Sequence, residues 1–154
     1  MECCICNQKS TEDDIIVNCS CGISVHKNCY GIKKNNKNNK WKCSACSNNV
    51  KKGDLKCILC AKTNGAMKKT TCNKWAHVVC SLFIPEVFFE NNECMEPINI
   101  EMMPPLRFSR VCYICSKKSG ACIKCIKKTM FKIFSCYVCT GERSLKRNFT
   151  WRDK

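Results

Sequence analysis

Apolar positions come in short clusters between polar stretches, and no run approaches the roughly 18 apolar residues needed to span a bilayer. Ile15, Ile16 and Val17 are β-branched and directly follow the acidic residues Glu12, Asp13 and Asp14, a pattern that predicts a short strand. Trp75, Val78, Val79, Leu82 and Phe83 predict a short helix with one apolar face, which Pro85 ends or kinks. From Gly31 to Lys40 the low-complexity stretch GIKKNNKNNK predicts a mobile loop with Lys33, Lys34, Lys37 and Lys40 in solvent. Met103, Pro104 and Pro105 predict an extended joint before a last module.

Cysteine changes this picture. The 154 residues include 19 cysteines, far more than a hydrophobic core of that size would use, so something other than core burial fixes the fold. Compartment decides between disulfides and metal. Met1 and Glu2 precede Cys3 without a charged and then apolar leader, which predicts an intracellular protein with reduced thiols. Six CxxC pairs suit tetrahedral zinc better than bonds to distant partners.

The candidate ligands then group along the chain. Cys3 and Cys6, Cys19 and Cys21, His26 and Cys29, and Cys43 and Cys46 make eight ligands, enough for two tetrahedral sites. Cys57, Cys60, His77 and Cys80 make a third, closed site with no position for a reactive water. Near the end stand Cys112 and Cys115, Cys122 and Cys125, and Cys136 and Cys139. The CYIC pair can be completed by Cys136 and Cys139 or by Cys122 and Cys125, and the residues alone leave that choice open.

The first block resembles a PHD finger. Its fifth ligand is histidine, and Trp41 stands two residues before the seventh ligand in WKCSAC, as in that family's W-x-C signature. A RING finger, which would imply a ubiquitin ligase, uses a similar cross-brace, and these two features favour the PHD finger over it. The resemblance implies pairing of Cys3, Cys6, His26 and Cys29 around one zinc and of Cys19, Cys21, Cys43 and Cys46 around the other, leaving Cys4 spare. NCSCG departs from the family by carrying CxC where CxxC is usual. With KCILC, GAMKKT, WAHVVCSLFIPEV, CYIC and GACIKC, the chain is similar to the cassette of PHD finger, zinc knuckle and extended PHD finger found in Jade proteins and in bromodomain-and-PHD-finger scaffolds. That cassette reaches from Cys3 to about Cys125.

The likeness implies a small zinc-stabilised irregular α+β fold in tandem. A PHD finger with two zincs would occupy residues 1–50 and a one-zinc knuckle with its linker residues 51–105. A degenerate extended finger would occupy 106–140 and a basic tail 141–154. In the degenerate finger Cys136 stands in for the family's histidine, giving Cys112, Cys115, Cys136 and Cys139, and Met130 falls where a cysteine of a second site would be. About four Zn²⁺ per chain are expected. The helix that begins with Trp75 would cover the knuckle with its apolar face, with Cys72 and Cys94 as buried or bystander thiols.

In PHD fingers the strand at Ile15, Ile16 and Val17 is a docking edge, along which a histone tail adds as another strand. Glu12, Asp13 and Asp14 could pair with its amine, arginine or lysine, with Asn18 at the far end; their alternative is a solvated loop. No aromatic residue lies between Cys6 and Cys29 to cage a quaternary ammonium, and Tyr30 matches a packing position. The expected ligand is therefore an unmodified amino-terminal tail of histone H3.

Thiolate ligation lowers the formal charge of +15 by six if two Cys4 and two Cys3His sites fill, leaving +9. Lys117, Lys118, Lys124, Lys127, Lys128, Lys132 and Arg143 crowd the last third and suit nucleosomal DNA, contacted at phosphate without sequence reading. Tyr113, Phe131 and Phe134 could stack on bases or fill a core. No nucleophile, base and oxyanion set converges, and both histidines fall in ligand positions, so no enzyme is expected. The expected role is a nuclear, membrane-free reader and adaptor for a chromatin-modifying complex of histone-acetyltransferase type. The alternatives are a RING-like ubiquitin ligase and a purely structural interaction module.

Overall fold

The structure, a computed structural model, describes residues 1–33, 41–51, 53–112, 116–118, 120–124 and 134–136, with Lys124 and residues 134–136 given by backbone alone. Lys34, Lys37 and Lys40 of the predicted loop lie outside the described residues, and Lys33 is exposed and paired with Glu93 at 3.5 Å. The chain divides into two compact units, Met1–Met103 and Pro104–Lys154. Among the described residues no helix is long and apolar enough to cross a membrane.

Short elements are what such a sequence permits. In the first unit, β1 (Ile16–Asn18) pairs antiparallel with β2 (Ser24–His26), and α1 (Lys27–Tyr30) follows at once. α2 (Ser44–Ser47) begins directly after Cys43. β3 (Met67–Lys69) and β4 (Trp75–His77) form the second hairpin and run into α3 (Val78–Phe83). β5 (Phe88–Phe89) and β6 (Ile98–Asn99) form the third. The second unit holds α4 (Leu106–Ser109) and the hairpin of β7 (Cys122–Lys124) with β8 (Phe134–Cys136).

Three expectations need correction. The first strand starts at Ile16, because Thr11 and Asp14 close a turn in which the Asp14 N–H donates to Thr11 Oγ1 at 3.1 Å, leaving Ile15 at its exit. Trp75 belongs to β4, and α3 begins only at Val78; that helix buries Val78 and Ser81 while Leu82 stays 45% exposed. The joint at Met103–Pro105 is a turn into α4, with Pro105 in the right-handed helical region at φ −54, which proline's ring favours at a helix start.

The core of the first unit mixes ligand cysteines with Leu55, Leu59, Met67, Val78, Ile84 and Ile98. Tyr30 is nearly fully buried, in the packing role its position implied. Its ring meets Trp41 edge-on at 5.4 Å between centroids. The Lys68 ammonium sits 4.2 Å from the ring centroid, a cation on a π face.

Candidate metal centres

Three clusters assemble in the first unit: Cys3, Cys6, His26 and Cys29; Cys19, Cys21, Cys43 and Cys46; and Cys57, Cys60, His77 and Cys80. Within each, the candidate ligand atoms lie within 4.8 Å of one another. The interleaved order of the first two is the cross-brace. Cys4 belongs to neither cluster, and Cys72 is exposed.

Local backbone rules explain how the pairs are presented. A CxxC pair needs a tight turn that aims two sulfurs at one point. Cys3 donates its N–H to Gln8 C=O at 2.9 Å, and Asn7, at φ +58, donates to Cys3 C=O at 2.8 Å. The same turn recurs at Cys57, with Lys62 and Ala61 (φ +61), and at Cys112, with Lys117 and Ser116 (φ +53). Each hairpin then supplies the third ligand at its end. His26 stands opposite Ile16 and His77 opposite Met67, each the last residue of its strand. The next residues wind into α1 and α3, which places Cys29 and Cys80 three positions on, on the same side as the histidines.

The distances fit zinc. A tetrahedron with Zn–S bonds of about 2.3 Å has sulfur–sulfur edges of about 3.8 Å and sulfur–nitrogen edges of about 3.5 Å. Cys21 Sγ and Cys43 Sγ are 3.7 Å apart. His26 Nδ1 lies 3.2 Å from Cys6 Sγ and 3.8 Å from Cys29 Sγ, and His77 Nδ1 lies 3.2 Å from Cys60 Sγ and 3.6 Å from Cys80 Sγ. Both rings thus turn Nδ1 inward and leave Nε2 to donate outward, to Lys9 C=O at 3.0 Å and to Asn64 C=O at 2.7 Å. Such outer hydrogen bonds fix the tautomer a metal requires. Backbone N–H groups also point at sulfur: Ile5 and His26 at Cys3, Cys43 at Cys19, and His77 at Cys57, at 3.3 to 3.5 Å.

The thiol electrostatics fit a site for a dication. Against the cost of burial, the N–H groups of Cys21 and Cys43 and the neighbouring thiols hold the Cys19 thiol down, at about 6. Burial and the surrounding cysteines push Cys46 up to about 11 and Cys43 higher still. A bound dication would stabilise the thiolate form of all four cysteines. The three clusters fit zinc, with four ligands each and a structural role.

In the second unit Cys112 is buried at the recurring turn, while Cys115, Cys125 and Cys139 lie outside the described residues. Cys136 ends β8 opposite Cys122, the register His26 and His77 hold in the first two hairpins. Lys117 and Lys118 are exposed, Lys124 lies in β7 and Phe134 in β8, and Tyr113, Lys127, Lys128, Met130, Phe131, Lys132 and Arg143 are outside the described residues.

At the predicted docking edge Glu12, Asp13, Ile15 and Asn18 are exposed, while Ile16, Val17 and Asp14 are half-buried. Asp14 has a local task that the sequence did not reveal: its Oδ1 accepts the Asn28 N–H at the start of α1, at 3.3 Å.

Comparison with known proteins follows the same lines. Residues 13–47 match the PHD-finger model, and residues 55–150 match a PHD-zinc-finger like domain. The chain is 41% identical over 148 residues to zebrafish Protein Jade-3, covering 94% of this chain and 18% of that one. It is 40% identical over 136 residues to a Drosophila melanogaster bromodomain-containing protein homolog, covering 86% and 9%. A crystal structure of the zebrafish PHF14 PZP superposes with a TM-score of 0.74 at 31% identity, covering 91% of this chain and 74% of that one. The chain spans 9 to 18% of the length of the curated relatives it matches here.

Proposed function

The chain belongs to the family of PHD-zinc-finger like domains, and from that premise we propose that it is a non-catalytic chromatin reader and adaptor. In this reading β1 takes an unmodified histone H3 tail, the basic last third holds nucleosomal DNA, and the module serves in the nucleus within a complex of histone-acetyltransferase type.

The carrying observation is the different fate of two equivalent strand edges. β1 and β3 occupy the same place in the same hairpin-and-knuckle unit. The β3 edge is used inside the protein: Tyr30 Oη donates to Met67 C=O at 2.8 Å, and the Thr71 N–H beyond the strand donates to Ile98 C=O at 3.0 Å. β1 pairs only with β2 among the described residues. Ile15 C=O accepts the Lys27 N–H, so alternation turns the N–H and C=O of Ile16 and Asn18 away from β2. Ser10 Oγ meets the Ile16 N–H at 3.2 Å, which leaves the Ile16 carbonyl and the Asn18 amide to pair with an added strand. Exposed Glu12 and Asp13 beside it favour an ammonium with free protons over a methylated one.

Charge supports the division of labour. Residues 1–103 carry fourteen lysines and arginines against ten acids, and filling three zinc sites brings that unit close to neutral, whereas residues 104–154 carry thirteen against two. The shared register of Cys136 with His26 and His77 supports a fourth zinc on Cys112, Cys115, Cys136 and Cys139, because Cys122 stands where the first two hairpins carry non-ligating Ile16 and Met67. His26 and His77, the only histidines, both face sulfur, which leaves little for acid–base catalysis.

The test is a titration of the zinc-loaded chain with unmodified and lysine-trimethylated H3 tail peptides, followed residue by residue by NMR. Shifts along Ile15 to Asn18 and weaker binding after trimethylation are expected; shifts confined to other surfaces, or no binding, refute the reader and leave a structural module. For DNA, affinity should fall with salt at about 0.9 power per phosphate contacted, and charge reversal at Lys124, Lys127 and Lys128 should lower both affinity and slope. Salt-insensitive or absent binding would remove the nucleic-acid role, and E2-dependent ubiquitin discharge would restore the ligase alternative.

A further inference from the structure

One buried hydroxyl in the first unit touches the neighbourhood of all three metal clusters. Tyr30 immediately follows the ligand Cys29 and is about 2% exposed. Its Oη accepts the N–H of Ser44, the residue after the ligand Cys43, at 2.9 Å. The same Oη donates to the carbonyl of Met67 at 2.8 Å, and Met67 is the register partner of the ligand His77. Ala66, which precedes Met67, accepts the N–H of Val78, the residue after His77, at 3.0 Å, so a continuous path of covalent and hydrogen-bonded steps joins Cys29, Cys43 and His77, one ligand from each cluster. The surroundings lock the path in place. The Lys68 ammonium covers the Tyr30 ring, donates to Cys94 C=O at 2.6 Å and stands 3.8 Å from Glu96, whose Oε2 accepts Ser44 Oγ at 3.1 Å.

We propose that the Tyr30 hydroxyl couples the three zinc centres of residues 1–103 into one cooperative metal-binding unit, so that losing zinc from the knuckle loosens zinc at Cys19, Cys21, Cys43 and Cys46. When the knuckle opens, β3 no longer presents the Met67 carbonyl, and a buried hydroxyl loses its acceptor. The cost falls on the α2 turn that Tyr30 steadies, and with it on Cys43 and Cys46. Coupling of this kind is reciprocal: loss at the second centre loosens the knuckle by the same factor. A buried donor or acceptor left without a partner shifts an equilibrium by about ten- to a hundredfold. The coupling is independent of whether β1 binds a tail.

The test is a two-by-two cycle on the full chain loaded with ¹¹³Cd, whose NMR shift separates all-sulfur sites from three-sulfur, one-nitrogen sites, with Cys112→Ser in every variant so that the proposed all-sulfur site of the last finger does not contribute. Cys80→Ser weakens the knuckle, and Tyr30→Phe removes the hydroxyl while keeping the ring under Lys68 and against Trp41. In the Tyr30 background, Cys80→Ser should speed metal release from the all-sulfur centre of the first finger to a chelator at least tenfold; in the Phe background it should change that rate by less than about twofold. Equal effects in both backgrounds, or none with Tyr30 present, overturn the proposal. Should Tyr30→Phe fail to take up metal, native mass spectrometry of the unmodified chain during chelation decides instead. Loss of the three metals as a group supports the coupling, and a ladder of singly depleted chains in statistical proportion overturns it.

Discussion

Gly31 offers a sharp test of how the first finger and the knuckle are joined. It follows Tyr30 at φ +66, and a β-carbon there would stand 2.5 Å from Cys94 C, 2.7 Å from Glu93 O and 2.8 Å from Cys94 O. None of these atoms is the end of a flexible side chain, so Gly31→Ala must move the backbone near Cys94. Left-handed backbone costs an alanine about 1 to 2 kcal/mol. Moving residues 93–96 also strains the Lys68 bond to Cys94 C=O and the Ser44 bond to Glu96, where a hydrogen bond to a charged group is worth about 1.5 to 3 kcal/mol. The expected loss is about 3 to 5 kcal/mol. Two controls separate the contributions. Gly22 has φ +92 with nothing within 4 Å, so Gly22→Ala should cost only the conformational part, about 1 to 2 kcal/mol. Gly53 has neither constraint, so Gly53→Ala should be neutral or stabilising by up to about 1 kcal/mol. Urea unfolding in zinc-buffered solution, followed by tryptophan fluorescence, measures all three. If Gly31→Ala costs no more than Gly22→Ala, the packing of the Cys94 segment on the first finger is wrong.

Gly65→Ala should weaken metal binding at the knuckle about tenfold or more, because the new β-carbon would lie 3.0 Å from His77 Cδ2 and 3.1 Å from Nε2; competition with a chelator measures it, and unchanged affinity would show that the ring can yield. His77→Ala should unfold the knuckle while Cys4→Ser does little, and circular dichroism showing equal damage would overturn the ligand assignment. Zinc uptake at the all-cysteine centre should release at least two protons at pH 8, since Cys43 and Cys46 keep theirs without metal, so apparent affinity rises about a hundredfold per pH unit; calorimetry in buffers of different ionisation enthalpy showing fewer would refute this. In the metal-free chain, Cys19 is lowered from 9.0 to about 6, so its contribution to stability is full above pH 9 and disappears as pH falls through 6.

The sequence made the ligand pairs legible because each pair is local, while the sharing of pairs between the two metals of the first finger followed from the resemblance to PHD fingers. CxxC at a turn, and a histidine followed three residues later by cysteine, fix ligand direction within one turn of backbone. The link between the fingers was not legible, because it depends on residues distant in the chain. Tyr30 and Met67 are 37 residues apart, and Lys68 looks like any solvated charge beside Lys69 until the fold covers it. Burial lowers the affinity of Lys68 for its proton, and Glu96 and the Cys94 segment oppose that effect. Asp14 read as a free acid available to a ligand, yet its carboxylate holds the start of α1. The Pro104–Pro105 pair read as extended because proline restricts the residue before it, whereas here the second proline supplies the first turn of α4.

A protein with so little apolar core must stop its metal-stapled pieces from moving independently. Burying large side chains between them would need elements longer than the two- to six-residue segments found here. The first unit instead spends one edge of a repeated hairpin on internal bonding and keeps the other outward. The β3 edge accepts Tyr30 and is crossed near its end by the Ile98 carbonyl, so it is closed to any added strand. The β1 edge keeps the Ile16 carbonyl and Asn18 amide outside the hairpin, with exposed Glu12 and Asp13 nearby. On the proposed reading, rigid attachment at one edge would make the other a better platform, because a tail adding to β1 would then order only itself. Freeing β3 by Tyr30→Phe should therefore weaken tail binding by lowering the fraction of competent first fingers while leaving β1 contacts unchanged. Tail titrations at saturating zinc would show reduced affinity with the same pattern of shifted residues, and a changed pattern would mean that Tyr30 contacts the tail directly.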